Sequence, residues 1–154
     1  MDDPAAMTPA DLAQACARAM WRNDHASQGL GMELVHVAPG EATVAMTLTR
    51  AMTNGQGNAH GGFLFALADS AFAFACNTYN QMTVAQHCSV TYVAPGRLGD
   101  RLTATAREVT RKGRSGIYDV RVTRDDDGAT IAEFRGHSRT IDRTFLPAAP
   151  GDAG

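Results

Sequence analysis

The stretch "NAHGGFLFALADSAFAFACN", residues 58–77, decides how the rest of the chain is read. Past its paired glycines it is apolar on almost every face of a helix, with the carboxylate Asp69 and the hydroxyl Ser70 set among alanines and phenylalanines. The preceding "TNGQGN", residues 53–58, is dense in Asn and Gly, which accept positive φ and interrupt helices and strands, so a loop leads directly into a central helix over about 60–78. Such a helix must be wrapped on nearly all sides. The apolar run from Gly61 to Cys76 is too short for a bilayer and carries Asp69 near its middle, where a charge is most costly, so a membrane span is not expected.

Working outward, the wrapping comes from strands. Before the loop, "GMELVHV" and "EATVAMTLT" flank the turn "APGE" and read as a hairpin. After the helix come "MTVAQHCSVTYVAPG" and "DRLTATAREVTRKG", the second with Leu102, Ala104 and Ala106 alternating with polar neighbours. Tyr118, Val120 and Val122 alternate in the next strand, and "DDDG" turns it into "ATIAEFRGHSRTI". At the other end Thr8 and Pro9 start an amphipathic accessory helix over 9–22, with Leu12, Ala15, Cys16, Ala19 and Met20 on one face. The result is an α+β fold, a curved antiparallel sheet wrapped around one long central helix, the hot-dog shape, in a single domain over 1–143. The Pro- and Gly-rich residues 144–154 have no periodicity and are expected to be a disordered tail.

Composition narrows the function. With 44% hydrophobic and 19% charged residues and a formal charge of -2, the chain offers no electrostatic reason to bind nucleic acid or anionic lipid. The start "MDDPAAMTPA" lacks the cationic and apolar regions of a secretory signal, so the cytoplasm is the expected location. Cys16, Cys76 and Cys88 are odd in number without C-x-x-C spacing, which argues against a disulfide framework or a zinc site; no metal is expected. His87 and Cys88 resemble a base and its nucleophile, yet neighbours on a strand face opposite ways.

That leaves Asp69. A buried carboxylate without a partner costs several kcal/mol, on the order found for ions inside real proteins, so either an arginine from the sheet neutralises it or it serves chemistry. Chemistry is favoured by the Gly61–Gly62 pair at the same helix's start, whose free N–H groups and positive dipole end suit a developing oxyanion. Gly62 and Asp69 are separated by about 10.5 Å along the helix, too far for one carbonyl to meet both. Two antiparallel helices in an isologous homodimer would set the glycines of one subunit beside the aspartate of the other, giving two shared sites.

These residues resemble a known family, the hot-dog acyl-CoA thioesterases of the phenylacetic acid degradation type. The likeness is carried by Asn54, by His60-Gly61-Gly62, by "LFALADSAFAFACN" through Asn77, and by "YVAPGRLGD", "GIYDV" and "FRGHSRTI", so it covers about residues 25 to 142. It implies a hydrolase that splits an acyl-CoA thioester, with aromatic acyl groups of the phenylacetyl or hydroxyphenylacetyl kind, in phenylacetate catabolism. It assigns Asp69 as nucleophile or general base, Gly61 as the N–H that polarises the carbonyl, Asn54 and His60 as residues placing substrate and water, and Ser70 as a hydroxyl beside the aspartate. It implies a tetramer built from dimers and no cofactor, coenzyme A being part of the substrate.

Three basic side chains, Arg111, Lys112 and Arg114, cluster in "TRKGRSG" and are candidates for the phosphates of coenzyme A, with Gly62 as a further substrate contact. Phe63, Phe65, Phe72 and Tyr79 suggest room for an aromatic or medium acyl chain. A non-catalytic acyl-CoA-binding or sensing module is the competing reading, which would keep the groove and dispense with Asp69. An enoyl-CoA hydratase would want a histidine on the helix face of Asp69, and there is none.

Overall fold

Period-two patterning and tight turns build most of the molecule, and the computed structural model describes residues 3–148 of it. Helix α1 spans Pro9–Trp21, capped by Thr8, whose hydroxyl accepts from the Asp11 N–H. Its buried face is centred on Ala13, Cys16 and Ala17, one position round from the expected stripe. A short helix α2, His25–Gly29, follows, with Asp24 as its N-cap. No sequence signal announced it, since five residues are too few for a 3.6-residue period to show.

Strands β1 (Glu33–Ala38) and β2 (Glu41–Thr47) form the first hairpin, and helix α3 spans Gly61–Cys76. Strands β3 (Thr83–Tyr92), β4 (Arg101–Lys112), β5 (Ser115–Arg124) and β6 (Thr130–Thr140) complete the chain. All pairings are antiparallel, in the order β1-β2-β4-β5-β6-β3. This is the expected hot-dog architecture. Leu102, Ala104 and Ala106 of β4 and Tyr118, Val120 and Val122 of β5 point inward against α3, as their alternation requires.

The wrapping is less complete than the sequence suggested. Leu64, Leu67, Ala68, Ala71, Phe72, Phe74 and Ala75 are buried, but Gly62, Ala66, Asp69 and Ala73, spaced three to four residues apart, form a stripe that stays partly open. Six strands make one concave face and cover one side of a helix. The open stripe continues onto β3, the edge strand opposite β1, whose residues are mostly exposed.

Two devices hold α3 in place. At its end Asn77 donates from Nδ2 to the Ala73 and Thr83 carbonyls, both at 2.9 Å, and accepts the Thr83 N–H at 2.8 Å, welding helix to β3. On the sheet, Gly136 lets the buried Phe72 ring lie against the β6 backbone, since a Cβ there would sit 2.7 Å from ring carbons. Gly136→Ala is therefore expected to destabilise the fold by about 1–3 kcal/mol through overpacking, read as a lower urea midpoint at unchanged slope.

The tail departs from expectation at its start. Asn80 accepts the N–H groups of Phe145 and Leu146 at 3.0 and 2.9 Å and donates to the Leu146 carbonyl, so this part of the proposed disordered segment is tied down. Residues 149–154 lie outside the described residues. No helix among the described residues is long and apolar enough to cross a membrane.

Candidate active site

The loop 53–60 is shaped by its own side chains. Asn54 Oδ1 accepts from the N–H groups of Gln56 and Asn58 at 3.0 and 3.2 Å, an Asx turn that turns the chain toward α3. The Ala59 and His60 N–H groups bond to the carbonyls of Gly96 and Met52, both at 2.7 Å, clamping the loop between two neighbouring segments. His60 is the N-cap of α3, its Nδ1 accepting the Gly62 N–H at 3.0 Å, which places the neutral ring's proton on Nε2.

These restraints leave one donor over. The Phe63 N–H bonds to the His60 carbonyl and that of Gly62 to the His60 ring, while the Gly61 N–H has no hydrogen-bond partner among the described residues. Gly61 borders a cleft of about 470 Å³ that is also lined by Asn54, Asn58, Leu64, Tyr92 and Pro95. Tyr92 was not singled out in the sequence; its hydroxyl donates to the Gly61 carbonyl at 2.9 Å. A free backbone N–H at a helix start is suited to a developing oxyanion.

Asp69 lies two turns further along α3, outside that cleft. No arginine reaches it: none of the ion pairs or hydrogen bonds among the described residues includes Asp69. Burial raises its pKa above the ordinary carboxylate value. Cys88 of β3 packs against the core and feels the Asp69 charge, its thiol pushed up first by burial and then by that carboxylate. His87 faces the other way, its ring edge-on to His137 across the strand pair with centroids 5.4 Å apart.

Within one protomer the structure therefore gathers Asn54, His60, Gly61 and Gly62 and leaves the other candidates elsewhere. Ser70 follows Asp69 in sequence but turns to α2, its hydroxyl 2.9 Å from that of buried Ser27, which bonds to Asp24. Arg111 is at the far end of α3, its guanidinium 3.6 Å above the Tyr79 ring and 3.3 Å from Glu108. Arg114 pairs with Asp142 at 2.7 Å, and Lys112 is exposed. Phe72 is core and Tyr79 is held by Glu108, so of the four aromatic residues suggested for an acyl chain only Phe63 and Phe65 reach the surface of α3.

Known proteins share this arrangement of elements. The thioesterase superfamily model matches residues 56–131. The acyl-coenzyme A thioesterase PaaI of Escherichia coli K12 is 41% identical over 133 residues, 86% of this chain and 94% of that protein. The solved structure of the E. coli PaaI protein from the phenylacetic acid degradation operon superposes with a TM-score of 0.87 at 39% identity, covering 89% of this chain and 99% of that one. A variant of the phenylacetic acid degradation protein PaaI from Thermus thermophilus superposes with a TM-score of 0.73 at 41% identity, covering 77% and 100%.

Proposed function

The chain belongs to the PaaI-type acyl-coenzyme A thioesterases of the thioesterase superfamily, and from that premise we propose that it hydrolyses aromatic acyl-CoA esters at two sites shared across a homodimer. The observation that carries the proposal is Asp69, a partly buried carboxylate on the open face of α3 that meets no counter-ion among the described residues. A non-catalytic acyl-CoA sensor would have no use for it.

The proposed dimer covers two exposed features with one partner. The open stripe of α3 would lie against the same stripe of a second copy, and the free edge of β3, which carries the half-exposed Val84 and Tyr92, would pair with its symmetry mate. Antiparallel α3 helices set the Gly61 N–H of one protomer near Asp69 of the other. They also bring the partner's Arg111–Arg114 turn from the far end of its helix toward this cleft, with charged donors for the phosphates of coenzyme A. Two such dimers forming a tetramer, residence in the cytoplasm and a role in phenylacetate catabolism rest on likeness to the family.

In the proposed reaction the thioester carbonyl oxygen points at the Gly61 N–H while Asn54 and His60 place substrate and water. Asp69 either takes a proton from water as it attacks or attacks itself to form an anhydride that water then opens. The carbon–sulfur bond breaks as the carbonyl re-forms, coenzyme A departs as the thiolate and takes up a proton, and the free acid remains. A single turnover in ¹⁸O-labelled water separates the two routes, because the attacking carboxylate delivers unlabelled oxygen first.

Phe63 and Phe65, which reach the surface of α3, support an aromatic acyl group. The test is kcat/KM over phenylacetyl-, hydroxyphenylacetyl-, hexanoyl- and acetyl-CoA and over an acyl thioester lacking the nucleotide. An aromatic ester is expected to lead the straight-chain ones by about tenfold or more, the range a shaped apolar pocket supplies. Equal rates overturn the aromatic assignment, and no turnover on any ester overturns the function. In the same assay Arg111→Ala is expected to raise KM for the CoA ester by roughly threefold to tenfold, one lost charge-assisted contact, and to spare the nucleotide-free ester. Equal effects on both would remove Arg111 from the binding site.

A further inference from the structure

We propose that Tyr92 is a positioning residue for the thioester-binding end of α3, holding the Gly61–Gly62 turn so that the Gly61 N–H stays aimed into the cleft. The inference rests on the reading of Gly61 as the donor to the thioester oxygen. Its ground is a contact between residues 31 positions apart: the Tyr92 hydroxyl donates to the Gly61 carbonyl at 2.9 Å. The phenol tip of the same ring lies close to the glycine, for a Cβ built on Gly61 would be 3.0 Å from two of its atoms, Cζ and the hydroxyl oxygen.

Tyr92 is 49% exposed on an edge strand and stands outside the buried core of the protomer. What it touches is the first turn of α3 and the cleft that Gly61 borders. That turn starts with two glycines, the residues with the most backbone freedom to lose. His60 restrains one side of it by accepting the Gly62 N–H, and the Phe63 N–H holds the His60 carbonyl. The Gly61–Gly62 peptide is then gripped from both ends, Gly62 N–H by His60 and Gly61 C=O by Tyr92. A donor stabilises a transition state to the extent that it is in place beforehand, because any swing at the moment of reaction is a reorganisation cost.

Position 61 is thereby explained as well. Its φ is not in the left-handed region, so alanine would be conformationally acceptable. A methyl there would push the Tyr92 ring, and the hydroxyl with it, by a few tenths of an ångström.

The experiment is steady-state kinetics on an acyl-CoA ester that the wild-type protein turns over, with Tyr92→Phe, Gly61→Ala and the double variant. Tyr92→Phe keeps the ring, so its melting temperature is expected to match the wild type. Its kcat is expected to fall about threefold to tenfold with KM changed less than about twofold, the pattern of a single hydrogen bond expressed only in the transition state. In the Gly61→Ala background the same change should cost less than about twofold, because the methyl has already displaced the phenol. Backbone order parameters of Gly61 and Gly62 should drop in Tyr92→Phe. Full kcat in Tyr92→Phe, losses that multiply in the double variant, or unchanged order parameters would each overturn the proposal. A wild-type protein inactive on every ester would instead strike the functional reading beneath it, so the two failures are told apart by the wild-type control.

Discussion

Asp69→Asn is expected to lower kcat on an acyl-CoA ester by about 10³-fold or more, in the range for loss of a nucleophile or positioned base, while leaving the fold intact. The side chain meets no cation among the described residues, so replacing it breaks no ion pair. Burial raises its pKa, which means the native state disfavours the charged form relative to the unfolded chain. The sign of the stability effect follows. As pH rises from the ordinary aspartate value of about 3.9 through the raised native value, the folded state holds more protons than the unfolded one and stability falls. Above that window the loss is complete.

Asp69→Asn lacks this slope, so it should melt higher than wild type at neutral pH, with the gap closing as pH drops below the window. The same shift sets the acid limb of the wild-type kcat/KM profile above the ordinary carboxylate range, since the reaction needs the ionised form. A variant that stays active, or that melts lower than wild type at pH 7, would make Asp69 a structural residue.

Mixing two dead variants is expected to restore activity. Asp69→Ala removes the carboxylate and keeps the helix start, whereas Gly61→Val keeps the carboxylate and puts a branched side chain at the wall of the cleft where the thioester carbonyl must approach the Gly61 N–H. If each site takes Gly61 from one protomer and Asp69 from the other, a heterodimer holds one intact site and one doubly damaged site. Random exchange of subunits makes about half of the dimers mixed, so about a quarter of the wild-type activity should return from two near-zero parents. The distance is what motivates the test: eight residues of helix separate Gly61 from Asp69 by about 12 Å, beyond the reach of one carbonyl. No recovery after verified subunit exchange would refute the shared site.

Much of the candidate site was legible because its signals are local. The Asn- and Gly-rich loop, the histidine before the first helical turn and the paired glycines are short-range features, and the structure shows the matching short-range bonds at Asn54 and His60. What stayed hidden was set by distant contacts. The family likeness placed Ser70 as a hydroxyl beside Asp69, but one residue along a helix is a turn of about 100°, and the Ser70 hydroxyl meets that of Ser27, 43 residues away. The sequence offered Arg111 as a phosphate contact but gave no sign that it stacks on Tyr79, whose hydroxyl bonds to Glu108, 29 positions off. Register shifts in β1, β3, β4 and β6 likewise left no mark on the alternation of residue types.

The sequence by itself determined the order of the six strands and the two longer helices, the apolar character of the central one, the inward residues of β4 and β5, and the oddity of a carboxylate within that helix. Those follow from repeats of two and 3.6 residues and from the backbone preferences of Gly, Asn and Pro, all properties of neighbours in the chain. Only the tertiary structure decided that β3 lies at an edge beside an uncovered stripe of α3, that no arginine among the described residues reaches Asp69, and that Tyr92 grips the start of the helix. Strand order and long-range packing set which side chains meet across tens of residues, and no local period encodes them.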